Sequence, residues 1–301
     1  MRFAFSDDQL AFRDAFGDLL TKQCTPADLR AAWANETGRV PGLWAAIVEM
    51  GVTGMLLAEG DGGLGLSMVD LVLLLEESGR HALPEPIVET AAFGAPLERD
   101  PALCVAAGHE LVPWADTADV VYTGAGRVAG ADASLTPHAS VDASRRLFEV
   151  SGPFTGADMT AAFVRGVVGF AAQQCGLADR MIELTVAYVK ERTQFGAPIG
   201  SFQAVKHHLA NARLTLEFAR PLVYRAAVTL DAAHASMAKL KGDEAALTTA
   251  RAALQCHGAI GYTTEYDLHL YMKRSWALAR SWGDRRHHIG IVAGATRRGS
   301  S

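Results

Sequence analysis

The chain has 301 residues, half of them hydrophobic, and a formal net charge of −5. A chain of this length can bury a large core and form about two domains. Its charge gives no reason to expect nucleic acid, and no uncharged apolar run approaches the roughly 18 residues of a membrane span. The early acidic residues Asp7 and Asp8 do not fit a signal peptide. Four widely spaced cysteines indicate buried, reduced thiols in a cytoplasmic protein.

Helical patterns dominate residues 1–88, which we predict to be an N-terminal helical domain. Ser6 followed by Gln9 has the spacing of a capping box, and the apolar residues that follow recur at helical intervals. The stretch PGLWAAIVEMG, residues 41–51, starts with proline and stops at glycine, as helices often do. MVDLVLLLEESGR is predicted to be a largely buried helix that ends before Pro84.

The middle of the chain, residues 89–155, changes character. Short β-branched or aromatic runs alternate there with Gly, Asp and Ser clusters, which predicts a small β domain that contains all the strands. In residues 156–301 long amphipathic patterns return, and four helices with short connectors predict an antiparallel bundle. The predicted fold class is therefore mainly α with a small β middle domain.

The loop EGDGGLGLS contains a GxGxxG spacing at Gly60, Gly62 and Gly65. A dinucleotide-binding fingerprint needs a strand before it, a helix after it and alternating strands and helices around it. Here helices precede the loop and no such alternation follows. We therefore predict a tight connector between two helices.

Histidines and acidic residues raise the hypothesis of a metal site, at His207–His208 and at Asp284 with His287 and His288. A di-metal site in a bundle needs an acid-x-x-His pair on each of two helices and two further carboxylates. Asp284 and His287 form one such pair, and nothing completes the set. Charged groups past a helix end are more often solvated, so we predict no metal. A serine hydrolase is also unsupported, because no GxSxG elbow is present.

Two stretches carry more specific patterns, ERTQFGAPIGSFQAVKHHLANAR (191–213) and QCHGAIGYTTEYDLHLYMKRS (255–275). The first places a guanidinium, an amide and an aromatic ring before a helix-ending glycine, at Arg192, Gln194, Phe195 and Gly196. Arginine can bind a phosphate through paired hydrogen bonds. The second interrupts a helix with glycines that let backbone approach a ligand closely. Two ordinary helix–helix turns with incidental polar groups are the alternative.

Both stretches resemble the C-terminal domain of the acyl-CoA dehydrogenase family, and GVTGMLLAEGDGGLGLSMVDLVLLLEESGR resembles its N-terminal helical domain. The resemblance covers residues 1–90 and 156–290. It implies an acyl-CoA dehydrogenase-like fold with an α N-terminal domain, a truncated β domain and a C-terminal four-helix bundle. It also implies α,β-dehydrogenation of a CoA thioester, in which a glutamate removes the α-proton and FAD accepts the β-hydride.

The resemblance implies three groups of FAD-binding residues. Those that correspond to groups holding the pyrophosphate and adenosine across a subunit interface are Arg192, Gln194 and Phe195. Those that correspond to the adenine pocket are Ile199 and Phe202. Those in the QxxGG segment that meets the FAD of a neighbouring subunit are Gln255, His257, Gly258 and Ala259. The last of these replaces the usual second glycine, which leaves less room for the backbone to approach.

The catalytic glutamate of the family has no counterpart in this chain. Its common position corresponds to Trp282, and its alternative position, on the first helix of the C-terminal domain, corresponds to Gly166; neither residue can accept a proton. Asp284 lies two residues from the first position, but a shorter side chain displaced along the chain is poorly aimed. The short middle domain also lacks the Thr/Ser-rich segment that cradles the flavin ring in the family. We predict no catalytic residue in this chain.

In these departures the chain resembles the short subunits of actinobacterial heteromeric acyl-CoA dehydrogenases, several of which are linked to steroid side-chain degradation. The resemblance implies an α2β2 assembly in which a longer partner subunit carries the glutamate and the flavin-ring pocket. Two alternatives stay open: a self-sufficient homo-oligomer with Asp284 as base, and a flavin-free scaffold or regulator. The substrate is an acyl-CoA whose acyl group, fatty, branched or steroid-derived, is not specified by the sequence.

Overall fold

The structure, a computed structural model, describes residues 4–298. The helices of its first part are α1 (Asp7–Gln23), α2 (Pro26–Ala34), α3 (Leu43–Glu49), α4 (Met68–Arg80) and α5 (Ala95–Glu98). The predicted capping box begins α1, because the Gln9 N–H donates to Ser6 Oγ at 3.2 Å and the Ser6 N–H donates to Gln9 Oε1 at 2.9 Å. The helix predicted over residues 41–51 is confirmed in shorter form as α3, and the buried helix before Pro84 is α4.

The glycine-rich loop connects α3 to α4, as the sequence predicted. Short 3-10 turns occupy Val52–Gly54 and Glu59–Asp61, and no strand lies between α3 and α4, a segment that is described throughout. Gly62 and Gly65 have φ angles of +79° and +64°. Glycine adopts this left-handed conformation without the steric penalty of a Cβ, so the GxGxxG spacing serves a turn.

Two small sheets form the middle of the chain. Their strands are β1 (Val105–Ala107), β2 (Val112–Pro113), β3 (Val120–Thr123), β4 (Gly126–Ala129), β5 (Ser134–His138) and β6 (Leu147–Ser151). One sheet has the order β1-β3-β4 and the other β2-β6-β5. The β1–β3 pair is parallel, with Val105 opposite Val120, and the other pairs are antiparallel.

The predicted range of the strands, residues 89–155, begins with helix and was wrong at one point. Residues before β1 are helical, with a π-helix over Val88–Gly94 that runs into α5. All seven residues of this π-helix are buried, and burial on every side favours an apolar helix here over an edge strand. A further pair, β7 (Thr193–Gln194) and β8 (Ala197–Pro198), lies outside the predicted range, where the chain reverses between two long helices.

Long helices form the rest of the described chain: α6 (Thr160–Glu191), α7 (Gln203–Thr229), α8 (Ala232–His257), α9 (Leu268–Leu278) and α10 (Arg285–Arg298). The predicted succession of helices, strands and helices is therefore confirmed. Four helices were predicted in this region, and within residues 4–298 a fifth, α10, follows α9.

Helix α6 is the centre of the fold and packs against α4, α7, α8 and α9. Glycines allow it to approach α4 closely. A Cβ at Gly79 would lie 2.7 Å from the carbonyl carbon of Gln173, and a Cβ at Gly176 would lie 2.7 Å from the backbone nitrogen of Arg80. Real Cβ atoms essentially never show such distances, so the helix crossing requires glycine on both helices.

A buried arginine holds the β region against the helices. Arg274 of α9 is 3% exposed and pairs with Asp142 in the loop between β5 and β6. Its guanidinium also donates to Ser144 Oγ at 2.7 Å and to the Leu83 carbonyl, just after α4, at 2.6 Å. One side chain therefore joins the N-terminal helices, the β region and the C-terminal helices.

The structure also bears on two expectations from composition, which concern the cysteines and membrane-spanning helices. All four cysteines are buried and none forms a disulfide, as predicted. Across residues 4–298, no helix combines the length and hydropathy needed to span a membrane.

Candidate functional site

The first predicted FAD-binding segment lies where α6 ends. The Arg192 N–H donates to the Tyr188 carbonyl at 2.9 Å, and the Arg192 carbonyl accepts from the Ile199 N–H at 2.8 Å. The Arg192 side chain is exposed, and its guanidinium makes no hydrogen bond or ion pair with the part of the chain that the structure describes. An exposed guanidinium without a carboxylate partner keeps its donors available for an anion.

The β7–β8 hairpin presents an aromatic side chain on the surface. Its two-residue turn consists of Phe195 and Gly196, with φ angles of +54° and +78°, and two-residue hairpin turns of this kind need positive φ at both positions. Phe195 is 95% exposed, and its ring lies roughly perpendicular to that of Phe202, with 6.3 Å between centroids. A large apolar side chain held in an unfavourable backbone conformation and left in solvent points to a binding role. Gln194 is also exposed, whereas Ile199 is partly buried.

The second predicted segment lies where α8 ends. Gln255, Gly258 and Ala259 are exposed, and a Cβ at Gly258 would meet no heavy atom within 4 Å. His257 is only 4% exposed. Burial lowers its pKa, so the ring is neutral, and its Nδ1 lies 2.8 Å from the Ala253 carbonyl and carries the proton. Its Nε2 is then a buried acceptor that has no donor among the described residues.

Tyr188 joins the two segments. It lies one helical turn before Arg192, and its ring stacks on that of His257 at 4.3 Å between centroids with an interplanar angle of 17°. Its hydroxyl donates to the His257 carbonyl at 3.4 Å. The two sequence motifs therefore meet at one end of the helical bundle, as a binding surface shared between them requires.

The residues at this end fit part of FAD. Arg192 offers donors for a phosphate, Phe195 offers an aromatic face for a heterocycle, and the open backbone at Gly258 permits close approach. The buried His257 Nε2 acceptor lacks a donor among the described residues. Nothing in this group encloses a flavin ring. The assignment of these residues to the pyrophosphate and adenosine of FAD stays a prediction.

The two positions predicted to correspond to the base of the family, Gly166 and Trp282, meet in space, which the sequence did not reveal. A Cβ at Gly166 of α6 would lie 2.7 Å from Cε3 and Cη2 of Trp282. The Trp282 ring stacks on Phe163 at 5.4 Å and lies edge-on to Phe93 at 5.0 Å. Neither position carries an ionisable group, and the space between them is filled by an indole.

Asp284 caps a helix instead of facing this aromatic cluster. Its Oδ1 accepts the His287 N–H at 2.9 Å, and this begins α10. The carboxylate is exposed, and the hydrogen bond from the His287 backbone lowers its pKa. A lower pKa makes a carboxylate a weaker base. A cap at Asp284 therefore accounts for the acid in this segment without a role in proton transfer.

The charged segment that contains Asp284 was predicted to be the solvated end of a helix. It is instead the start of α10, and His288 within it is not solvated. His288 has no exposed surface; its Nδ1 lies 3.1 Å from Ser236 Oγ and its Nε2 lies 3.0 Å from the Trp282 carbonyl. His207, His208 and His287 are exposed. No group of three or more His, Cys, Asp or Glu side chains within residues 4–298 is arranged to hold a metal ion.

His288 is expected to make stability depend on pH. Burial, helped by the nearby Lys239 ammonium, lowers its pKa from 6.5 to about 4. Because the folded state favours the neutral ring, this contribution is fully present above pH 6.5 and is lost as the pH falls towards 4. The loss is about 2–3 kcal/mol of unfolding free energy. Urea unfolding between pH 7 and pH 4 measures it.

Two variants isolate this contribution. His288→Gln, which does not titrate, is expected to show a shallower fall in unfolding free energy than the wild type. His287→Gln removes the exposed neighbouring imidazole and is expected to keep the wild-type slope. Equal slopes in the wild type and His288→Gln contradict the assignment.

Comparisons with known proteins match most of the chain to two family models. Residues 6–99 match the family model described as Acyl-CoA dehydrogenase, N-terminal domain, and residues 157–295 match the one described as Acyl-CoA dehydrogenase, C-terminal domain. The acyl-CoA dehydrogenase IpdE2 of Mycolicibacterium smegmatis is 32% identical over 305 residues, which cover 94% of this chain and 97% of that protein.

Two solved structures share the fold over nearly the whole chain. A variant of the Tcur3481–Tcur3483 steroid ACAD superposes with a TM-score of 0.87 at 23% identity, over 98% of this chain and 99% of that one. The ChsE4–ChsE5 complex from Mycobacterium tuberculosis superposes with a TM-score of 0.86 at 20% identity, over 99% of each chain.

Proposed function

The chain belongs to the acyl-CoA dehydrogenase family, and we propose that it is the short, non-catalytic subunit of a heteromeric, FAD-dependent member of that family. A longer partner subunit supplies the catalytic glutamate and the flavin-ring pocket. The observation that carries the proposal is the contact between Gly166 and Trp282, since both positions at which the family carries its base lack an ionisable group and the space between them is filled.

This chain contributes the surface that binds the phosphate and adenosine half of FAD across the interface. Arg192 binds the pyrophosphate through paired donors, and Phe195 packs against the adenosine together with Ile199 and Phe202. The segment from Gln255 to Ala259 approaches the same FAD with its backbone. When bound, FAD supplies the acceptor for the β-hydride of the acyl-CoA thioester.

Exposed apolar residues support a partner subunit. Leu214 and Phe218 are 54% and 67% exposed, and because they lie four residues apart they share one face of α7. Val228, further along the same helix, is 68% exposed, and Tyr262, just after α8, is 78% exposed. Neighbouring exposed apolar side chains such as Leu214 and Phe218 are typical of protein interfaces. The likeness to the ChsE4–ChsE5 complex favours an unlike partner, in an α2β2 assembly.

The likeness to a steroid ACAD favours a fatty or steroid-derived acyl group, and the reduced cysteines favour a cytoplasmic complex. The alternative of a self-sufficient homo-oligomer relies on Asp284. Its exposure and its use as a helix cap count against that role. The alternative of a flavin-free scaffold does not explain the Arg192 guanidinium, which has no partner among the described residues, or the exposed Phe195 ring.

Flavin content separates the three possibilities. The chain is to be purified alone and after co-expression with a longer acyl-CoA dehydrogenase subunit from the same genome, and bound FAD is to be measured by absorbance after denaturation. We expect FAD only in the co-expressed complex, because the proposal places the flavin-ring pocket in the longer subunit. FAD in the chain alone favours the homo-oligomer, and no FAD in either sample favours the scaffold.

A further inference from the structure

The space around Gly166 is closed by Trp282, and this residue lies where two hydrophobic cores meet. One core contains α6 residues such as Val167 and Phe170, and the other contains Phe93 and Tyr122 with the strands β1 and β3; Trp282 packs against both. We infer that Trp282 fills the acyl site of this subunit and serves as a packing joint between the helices and the β region. The statement that the filled space is an acyl site rests on the proposed function. The packing of Trp282 between the two cores, the packing joint, does not.

The ring needs glycine on the facing helix. Position 166 lies inside α6, in its second turn, where glycine is normally unfavourable compared with alanine. A Cβ there would overlap the indole, whose Cε3 and Cη2 would be 2.7 Å away. Helix α6 therefore has glycine, a poor helix former, where the Trp282 indole lies against its backbone.

The backbone of Trp282 is held in place from both sides. Its φ is +60°, which is unfavourable for a residue with a bulky side chain. His288 Nε2 lies 3.0 Å from the Trp282 carbonyl, and the preceding Ser281 Oγ accepts from Arg145 Nη2 at 3.3 Å. Strain of this kind persists only where the surroundings impose the conformation.

Buried side chains of the same chain fill the neighbouring space as well. The Arg145 guanidinium lies over Trp114 at 4.9 Å and over Phe170 at 5.6 Å, and Arg145 is 3% exposed. It faces Glu89 of the π-helix across 3.6 Å. An acyl group would have to displace Trp282, and beyond it a buried ion pair.

A double-mutant cycle on the full chain tests the joint. Gly166→Ala is expected to lower the Tm because the new methyl group collides with the indole. Trp282→Ala is expected to lower the Tm by about 5–15 °C through the cavity that it leaves. In the Trp282→Ala background, Gly166→Ala is expected to raise the Tm instead, because alanine is the better helix former. A drop of equal size in both backgrounds overturns the inference.

Trp276→Ala is the matched control, since Trp276 on α9 is 39% exposed. Its Tm is expected to stay within about 2 °C of the wild type, as exposed substitutions do. If Trp282→Ala does not fold, Trp282→Phe replaces it in the cycle. The smaller ring is expected to reduce the cost of Gly166→Ala, and an unchanged cost overturns the inference.

Indole supplies a second measurement. Added indole is expected to raise the Tm of Trp282→Ala in a saturable manner, because an apolar cavity binds an apolar ligand of its own shape. The wild type and Trp276→Ala are expected to show no such rise. An equal rise in all three contradicts a cavity at Gly166. None of these measurements requires flavin or a partner, so the absence of FAD from the co-expressed complex would overturn the proposed function and leave the joint standing.

Discussion

Purified without a partner subunit, the chain is expected to dehydrogenate acyl-CoA thioesters at no measurable rate, even with FAD supplied. Removal of the α-proton needs a carboxylate in contact with the α-carbon, and general-base catalysis contributes typically 10²–10⁴-fold. Trp282 and Gly166 offer no base, and the space between them is closed. The rate is to be measured with an artificial electron acceptor over a panel of fatty and steroid-derived acyl-CoA thioesters.

The complex with the longer subunit is expected to be active and to stay active when Asp284 is replaced by asparagine. Asparagine is the suitable replacement because it caps a helix about as well as aspartate does, whereas alanine would also cost about 0.5–2 kcal/mol through loss of the cap. Two results count against the proposal. One is turnover of order 1 s⁻¹ or faster by the isolated chain, which is the low end for enzymes. The other is an inactive Asp284→Asn complex with normal FAD content and assembly.

FAD affinity of the complex is expected to fall about ten- to hundredfold in Arg192→Ala. A hydrogen bond to a charged group contributes about 1.5–3 kcal/mol, and this guanidinium has no other partner among the described residues. Arg192→Lys is expected to lose less, because lysine keeps the charge but not the paired geometry. The Kd is to be measured by titrating flavin-free complex with FAD and following flavin fluorescence.

Arg225→Ala is the control for this series. Arg225 is also exposed, but it lies near the opposite end of α7 from the hairpin and contacts His234. Its complex is expected to bind FAD with wild-type affinity. Equal Kd values for the wild type and Arg192→Ala, with intact assembly, refute the role of Arg192 in FAD binding.

Local patterns in the sequence sufficed for much of the fold. Helix patterns depend on neighbours three or four residues away, and strand patterns depend on alternation along the chain. The structure confirms the features predicted from such patterns: the capping box at Ser6, the helix before Pro84, and the order of helices and strands. The π-helix over Val88–Gly94 was missed because it owes its conformation to complete burial between α6 and the first sheet. A local sequence pattern does not show whether a segment is buried on every side.

The candidate site also has some features that the sequence determined and others that only the tertiary structure decided. The sequence by itself determined which residue types stand at the family positions: an arginine and an aromatic before Gly196, and no acid at Gly166 or Trp282. Only the tertiary structure decided that Gly166 and Trp282 touch and that His288 is buried beside Ser236. These contacts join residues far apart in the sequence, and packing between helices sets such distances, whereas local propensity does not. The lack of an acid at these two positions is therefore a fact of sequence, and their contact is a fact of folding.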